Sequence, residues 1–467
     1  MAWYRKFTVE VPLFFSYVNF LMTGSIITNL VVYRTCYIIL GYNKTDCIQL
    51  GTETNNVTKN LEKLVEPTAD VINMVRTVLN SLVPIFICMM AGPWSDKHGR
   101  KPFLLITLIG TCLSPLLMVV FSYFDNVNPW YFLISLIPQI ISGGTITYLA
   151  ITLAYISDIS TPETRGIRMA FFEATLAFGV LTGSVVSSYI FYATNYEFIF
   201  AIAAGCVLIG ILYTVFVIPE SLSSLERTLD DSNSSMDNPF KYITDMIGTT
   251  FKQRENNDRS LILLLSTALI LFTFANNGDN FIQFIYLRKK LDWNLTKYTL
   301  YYGMTSFLWA TGALTGTFLF HNKLKIKECN LALLGTLSII GCFILQELAF
   351  NDLYIYLAGL ARLFAGLVSP MLRALVSKMV PPHEVGKIFS VTMIGGAIFD
   401  LGASPLYTLV YNDTINTYSG IYNVISIFVV GLTALLIVIF KTLECSSGFQ
   451  TLNNEELSNS QNDDEII

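Results

Sequence analysis

Charge is scarce in this sequence. Only 13% of its 467 residues are Asp, Glu, Lys or Arg, where a soluble domain carries about 25%. Hydrophobic residues make up 53%, and the mean hydropathy is +0.54. No single soluble core buries that much apolar surface, so lipid is the expected solvent for much of the chain. A net charge of −5 excludes the basic surface of a nucleic-acid binder. The eight cysteines show no Cys-x-x-Cys spacing. Cys88, Cys112, Cys206 and Cys342 lie in apolar runs and read as small core residues. The histidines, His98, His321 and His383, fall in short polar segments, so no metal site is expected. A Gly-rich loop ending in Lys is also missing, so no nucleotide or other cofactor is expected.

What the chain has is long apolar runs. A spanning helix needs roughly 20 apolar residues. Twelve runs qualify: 11–34, 71–91, 102–124, 131–157, 169–193, 198–218, 261–287, 298–320, 329–349, 354–380, 388–411 and 420–441. The period-2 alternation of a membrane barrel is missing. Run 11–34 is too long for a cleavable signal core and reads as an anchor retained as span 1. The expected fold class is an all-α membrane protein of twelve transmembrane helices in two six-helix halves around a central cavity. Residues 1–218 form the first half, 219–260 a cytosolic linker, 261–441 the second half and 442–467 a disordered cytosolic tail. The run Asp230-Asp231-Ser-Asn-Ser-Ser also reads as disordered.

Lys and Arg set the orientation. With both termini cytosolic, most of them fall inside, among them Lys97, Arg100, Lys101, Arg227, Lys252, Lys323 and Lys327; the cluster Arg288-Lys289-Lys290 runs against the bias. Glycosylation sequons at Asn43, Asn56, Asn294 and Asn412 fall on the outside, and only Asn233 falls inside. The halves echo each other: Ser157-Asp-Ile-Ser-Thr-Pro-Glu-Thr-Arg-Gly166 returns 220 residues later as Ser377-Lys-Met-Val-Pro-Pro-His-Glu-Val-Gly386. Such symmetry places a binding site between two repeats.

Ionisable groups inside a span are costly unless they meet a cavity or a partner. Spans 3, 6 and 12 have none in their interiors. The interior charges are Arg76, Glu173, Asp279, Arg362, Arg373 and Asp400. Glu173 and Asp279 are the candidate proton-coupling acids, because desolvation raises a carboxyl's pKa; a structural hydrogen bond is the alternative for each. Arg373 and Arg362 lie eleven residues apart, about 20° around an ideal helix, so both can face one cavity. They suit an anionic substrate through bidentate hydrogen bonds, or a salt bridge to Asp279, Glu173 or Asp400. Arg76 reads as a residue near the outer end of span 2 that snorkels. The run Asn276-Asn277-Gly278-Asp279-Asn280 with Gln283 reads as an unwound, substrate-contacting stretch of span 7, or as a kink. Of the aromatics on the expected cavity spans, Tyr148, Tyr155, Phe281, Tyr286, Tyr302 and Trp309, Tyr148 is the candidate ligand contact.

The turn Gly92-Pro-Trp-Ser-Asp96-Lys-His-Gly99-Arg100-Lys101 resembles the tight loop between helices 2 and 3 of major-facilitator transporters. Gly92 and Gly99 would allow the reversal, Asp96 would accept hydrogen bonds from helix N-termini, and Arg100 and Lys101 would stay in cytosolic water; Gly92, Asp96, Gly99 and Arg100 together form the candidate gate. More narrowly, the chain resembles the solute-carrier 46 family, to which the proton-coupled folate transporter belongs. The resemblance is carried by Val9-Glu-Val-Pro12, Gly41-Tyr-Asn-Lys-Thr-Asp-Cys47, Ser95-Asp-Lys-His-Gly-Arg-Lys101, Arg168-Met-Ala-Phe-Phe-Glu173, Ser369-Pro-Met-Leu-Arg373 and Gly386-Lys-Ile-Phe-Ser390. It implies a secondary transporter rather than an enzyme, with helices 3, 6, 9 and 12 facing lipid. It implies that a small organic anion (folate-like, cyclic-dinucleotide-like or muramyl-peptide-like) moves with protons at the plasma or lysosomal membrane. Glu173 then matches the family's proton-coupling acid, Arg373 its span-10 arginine and Asp96 its gate aspartate. Thr145, also a candidate substrate contact, stands where the folate carrier has an acid, Phe274 where it has a histidine, and Asp292 where it has the partner cysteine of Cys47. Gly179-x-x-x-Gly183 and Gly312-x-x-x-Gly316 would let helices 5 and 8 slide on each other across the halves. A transport-dead receptor or scaffold, and an uncoupled uniporter, are the alternatives.

Overall fold

The computed structural model describes residues 9–48, 50, 56–161, 164–221, 239–254, 258–293, 295–381, 384–414, 418 and 420–446. All regular structure among them is helical, as an apolar medium requires of a backbone that must pair its own N–H and C=O groups. The first half runs α1 (Glu10–Arg34), α2 (Asn56–His98), α3 (Arg100–Tyr123), α4 (Gly144–Asp158), α5 (Arg165–Ala193) and α6 (Tyr196–Phe216). The second runs α7 (Asp258–Leu291), α8 (Leu295–Gly316), α9 (Glu328–Glu347), α10 (Asp352–Ala361, resuming at Val368–Lys378), α11 (Val385–Thr414) and α12 (Ile421–Ser446). Eleven helical segments are long and apolar enough to cross a membrane. The exception is α8, whose length suffices but whose Lys297, Tyr298, Thr299, Tyr301, Tyr302 and Thr305 make it polar. It packs on α5 of the other half, which shields part of that polarity.

The uncharged spans take the periphery. Ile106, Ile109, Leu113 and Leu116 of α3, Leu208, Ile209 and Leu212 of α6, and Val424, Phe428 and Leu435 of α12 are exposed. Apolar faces this extensive need lipid around them. The expected glycine seams are rearranged. An added Cβ at Gly179 would stand 2.7 Å from Tyr17 Cβ, and at Gly183 2.7 Å from the Val18 carbonyl. That pair seats α5 on α1 within the first half. Gly312 meets Leu363 and Gly316 meets Leu367, seating α8 on α10 within the second. Neither motif lies on the α5–α8 contact.

One end of the bundle carries Val9, the turn at Gly99 and the linker; it is the linker end. The other carries a disulfide between Cys36 and Cys47, eleven residues apart. The cysteine partner missing at Asp292 is thus supplied locally, from the turn that extends α1. Beside it Arg34 donates to the carbonyls of Ser122 (3.0 Å) and Phe124 (2.9 Å) at the end of α3, satisfying helix-terminal acceptors. The linker is partly structured: Pro239–Phe251 forms a helix that packs on α2 and α11. Residues 230–235, Asn233 included, and the tail beyond 446 lie outside the described residues.

Helices 4 and 10 are interrupted at equivalent depths. A 3-10 segment, Pro129–Leu136, and a short helix, Ile137–Ile141, precede α4, with Gly143 (φ 96°) and Gly144 (φ 59°) at the break. In α10 a 3-10 segment covers Arg362–Leu367, and 220 residues on from Gly143 is Leu363. The expected unwinding of span 7 does not occur: α7 is continuous through Asn276–Asn280. Asn276 and Asp279 are instead engaged sideways by Arg362, and Gly278 lies under the Tyr407 ring.

Candidate functional site: two buried ion pairs, a gate and a cavity

Glu173 and Arg373 meet across the two halves. The Arg373 guanidinium donates to the Glu173 carboxylate from α10 to α5, with both residues buried. Arg373 also lies over the Phe172 ring, 5.4 Å from its centroid, and Tyr17 of α1 stands beside the pair. In the second half Arg362 donates to Asp279 at 3.2 Å and to Asn276, and lies 5.7 Å from the Trp309 ring centroid. The two arginines therefore do not share one cavity. Six residues of 3-10 geometry at three residues per turn add about 120° of rotation relative to an ideal α-helix, which breaks the 20° alignment. Among the described residues Asp400 pairs with no arginine; its partner is Asn277.

The residues of the candidate gate lie at the linker end. Gly99 (φ 105°) makes the reversal, but α2 continues to His98 and α3 starts at Arg100, so the loop shrinks to one residue. Arg100 is fully buried, not in cytosolic water. It pairs with Asp96, donates to Asp158 at 3.0 Å and donates to Ser95 Oγ at 2.8 Å. Asp96 is thus committed to Arg100, and Glu220 takes the helix N-terminus, accepting from the backbone N–H groups of Arg100 (2.8 Å) and Lys101 (3.2 Å). Gly386 of α11 packs directly onto Arg100 and Asp96, and an added Cβ at Gly92 would stand 2.6 Å from Ser390 Oγ and 2.9 Å from the Gly386 carbonyl. Only hydrogen atoms at Gly92 and Gly386 let the two halves come this close. Arg165 reinforces the closure: it donates to the Ser377 carbonyl at the end of α10 (2.8 Å) and to the Ser157 carbonyl at the end of α4 (3.2 Å).

The second half has its own clamp. Glu328, first residue of α9, pairs with Lys378 and stands 3.5 Å from His321 Nε2. His321 in turn reaches Gly166 of the first half. Asp158, Arg165, Glu328, Lys378 and Glu220 were not picked out by sequence reasoning. The signal was present for three of them, since Asp158, Arg165 and Lys378 lie in the repeated segments that the fold brings together.

A cavity of about 270 Å³ lies among α1, α2, α3 and the segment before α4, lined by Asn19, Thr23, Arg76, Asn80, Ser114 and Gln139 among others. Arg76 lines it instead of snorkelling away. A small pocket of about 30 Å³ shares Asn19, Thr23 and Gln139 and reaches Tyr17 and Thr145. Of the expected ligand residues, Thr145 borders this system. Asn276 and Arg362 are engaged with each other, Asn277 faces Asp400, Gln283 is buried with its Nε2 unpartnered, and Tyr148 is buried in the core. Tyr286 packs in an aromatic cluster with Tyr422, and Phe274 packs on Phe399 and Tyr407. Asn43 and Asn412 are exposed at the disulfide end, where Asn56 begins α2; Asn294 lies outside the described residues.

The Major Facilitator Superfamily sequence model matches residues 13–403. The chain is 29% identical over 434 residues to the "Probable peptidoglycan muropeptide transporter SLC46" of Drosophila melanogaster, covering 91% of this chain and 83% of that one. It is 24% identical over 434 residues to the "Lysosomal proton-coupled steroid conjugate and bile acid symporter SLC46A3" of Gallus gallus, covering 89% and 90%. The crystal structure of the human organic anion transporter MFSD10 superposes with a TM-score of 0.70 at 16% identity, over 94% of this chain and all of that one. The last likeness shows the fold alone, but with the others it agrees: this chain belongs to the Major Facilitator Superfamily, as a multi-pass membrane transporter of the SLC46 type.

Proposed function

We propose that this transporter carries a small organic anion together with protons by alternating access. The observation that supports this reading is the buried Glu173–Arg373 pair spanning the two halves. A buried pair is held by its own Coulomb attraction against a large desolvation penalty, and breaking it leaves an uncompensated charge. A proton on Glu173 removes one partner. Arg373 is then released toward an anion and the halves lose a contact that keeps the linker end shut. The Asp279–Arg362 pair is a second such station within the second half.

The orientation follows from chemistry at the two ends. The Cys36–Cys47 disulfide belongs in an oxidising compartment, so the disulfide end faces the exterior or the lysosomal lumen, where the exposed Asn43 and Asn412 are open to glycosylation. The basic linker end faces the cytosol. Closure at Gly92, Gly386 and Arg165 then describes a carrier shut on the cytosolic side, and protons and substrate enter together from the acidic side. A muropeptide and a bile acid, named for the two relatives, both bear carboxylates, which suits a carrier whose buried arginines await anions.

The test is uptake of a radiolabelled muramyl dipeptide into proteoliposomes at two external pH values. Uptake is expected to rise severalfold with acid outside, and Glu173→Gln is expected to keep exchange while losing that stimulation. Concentrative uptake by Glu173→Gln equal to wild type would overturn the coupling role.

A further inference from the structure

We infer that the cavity among α1 to α4 is an anion subsite in which Arg76 receives the carboxylate of a hydroxyl- and amide-rich monoacid. This rests on the reading that the protein carries an organic anion, and it names where that anion is held.

The argument starts from the arginines. Arg34, Arg100, Arg168, Arg362 and Arg373 each face a carboxylate: Asp125, Asp96 with Asp158, Glu10, Asp279 and Glu173. Arg76 differs. Among the described residues it faces no carboxylate, and its hydrogen-bond partner is the Thr28 hydroxyl at 3.4 Å. A guanidinium within a span requires a counter-charge or a wet cavity. Half-buried Arg76 has the cavity, and its planar fork matches a carboxylate bidentately. The walls add acceptors in search of donors: Asn19 Oδ1 and Asn80 Oδ1 are buried without partners, as buried polar atoms seldom are unless a ligand or water fills the site. An occupant with O–H or N–H groups beside its acid meets both needs. A single guanidinium with no second cation among the lining residues fits one negative charge, not the two of a phosphate monoester. At about 270 Å³ the space falls at or below the lower limit of whole-ligand sites, roughly 300 Å³, so it holds the acidic arm of a larger molecule.

Its position links it to the coupling pair. Asn19 and Gln139 line both this cavity and the small pocket that ends at Tyr17, and Tyr17 stands beside Glu173 and Arg373.

The test compares binding of muramyl dipeptide, which has one free carboxylate, with its neutral carboxamide, using the full chain in nanodiscs. Wild type is expected to bind the acid about tenfold or more tightly than the amide. Arg76→Gln should bring acid affinity down to that of the amide and leave amide affinity unchanged, which also shows that the variant is folded. Arg76→Lys should fall between. The inference is overturned if Arg76→Gln weakens acid and amide alike, if it leaves acid affinity at the wild-type value, or if wild type does not prefer the acid or binds neither probe. The two readings fail separately. Binding that prefers the acid and depends on Arg76, with no uptake under a pH gradient, sinks the transport reading and keeps the subsite. Acid-driven uptake whose KM ignores Arg76→Gln sinks the subsite and keeps the transport reading.

Discussion

The two halves close their linker ends with the same geometry and opposite charge. In the first half an arginine at the start of α3 is held by carboxylates from the ends of α2 and α4: Asp96, Arg100 and Asp158. In the second, a glutamate at the start of α9 is held by a histidine after α8 and a lysine at the end of α10: His321, Glu328 and Lys378. Each clamp faces the equivalent glycine of the other half, the first packed tightly on Gly386 and the second in ordinary contact with Gly166, 220 residues apart. The repeat therefore preserves positions, not charges. The difference is wetness. The first clamp's side chains are at most 6% exposed, whereas Lys378 keeps 20%. A dry charge triad has nowhere to send an orphaned charge, and a wetter one does.

That contrast orders the expected effects. Arg100→Ala leaves two buried carboxylates facing each other, a loss of about 3–5 kcal/mol, and should abolish uptake and surface expression. Glu328→Ala, where the orphaned Lys378 keeps 20% exposure, should cost less, about 1–3 kcal/mol. Equal losses by detergent thermal unfolding would erase the distinction. Gly386→Ala pushes a methyl into Arg100 and Asp96, an overpacking of about 1–3 kcal/mol, and should slow uptake by preventing closure. Gly166→Ala has its nearest neighbour at 3.5 Å, an ordinary contact, and should transport normally. At the opposite end, Cys36→Ser with Cys47→Ser should lose about 3 kcal/mol by the loop-closure model, seen as a lower melting temperature with transport retained below it.

The smallest effect is expected at Asp125. The Lys44 ammonium beside it holds its carboxyl below the usual carboxylate range. A lowered carboxylate pKa stabilises only above the unfolded value, near 3.9, and that contribution is lost as pH falls below it. Across pH 5 to 8 that contribution is fully present, so Asp125→Asn should lower the melting temperature by a small amount that does not vary with pH in this range, small because the group is exposed and solvent-screened.

The spans, the lipid-facing helices and the glycine turn at Gly99 were legible because they depend on composition and on a local φ. The partners of Arg362 and Arg373 were legible only as alternatives, since the choice among Asp279, Glu173 and Asp400 is made by helix rotation. That rotation was hidden: nothing in Arg362-Leu-Phe-Ala-Gly-Leu367 marks a 3-10 segment except its place in the repeat. Gly143-Gly144 did mark a break, but the polar run at Asn276 drew attention to α7 instead. There, Arg362 satisfies Asp279 and Asn276 from the side, so the helix need not open. The burial of Arg100 was missed because Lys and Arg beside a turn usually reach water; here the repeat closes over it.

The central claim is that a proton on Glu173 unlocks the linker end. Spin labels at positions 98 and 323, on the two halves at that end, report its opening as an interlabel distance by pulsed electron resonance. The account expects a longer-distance population that grows as pH falls in wild type and is already dominant, without pH dependence, in Glu173→Gln. A Glu173→Gln protein whose distances titrate as the wild type's do would contradict it.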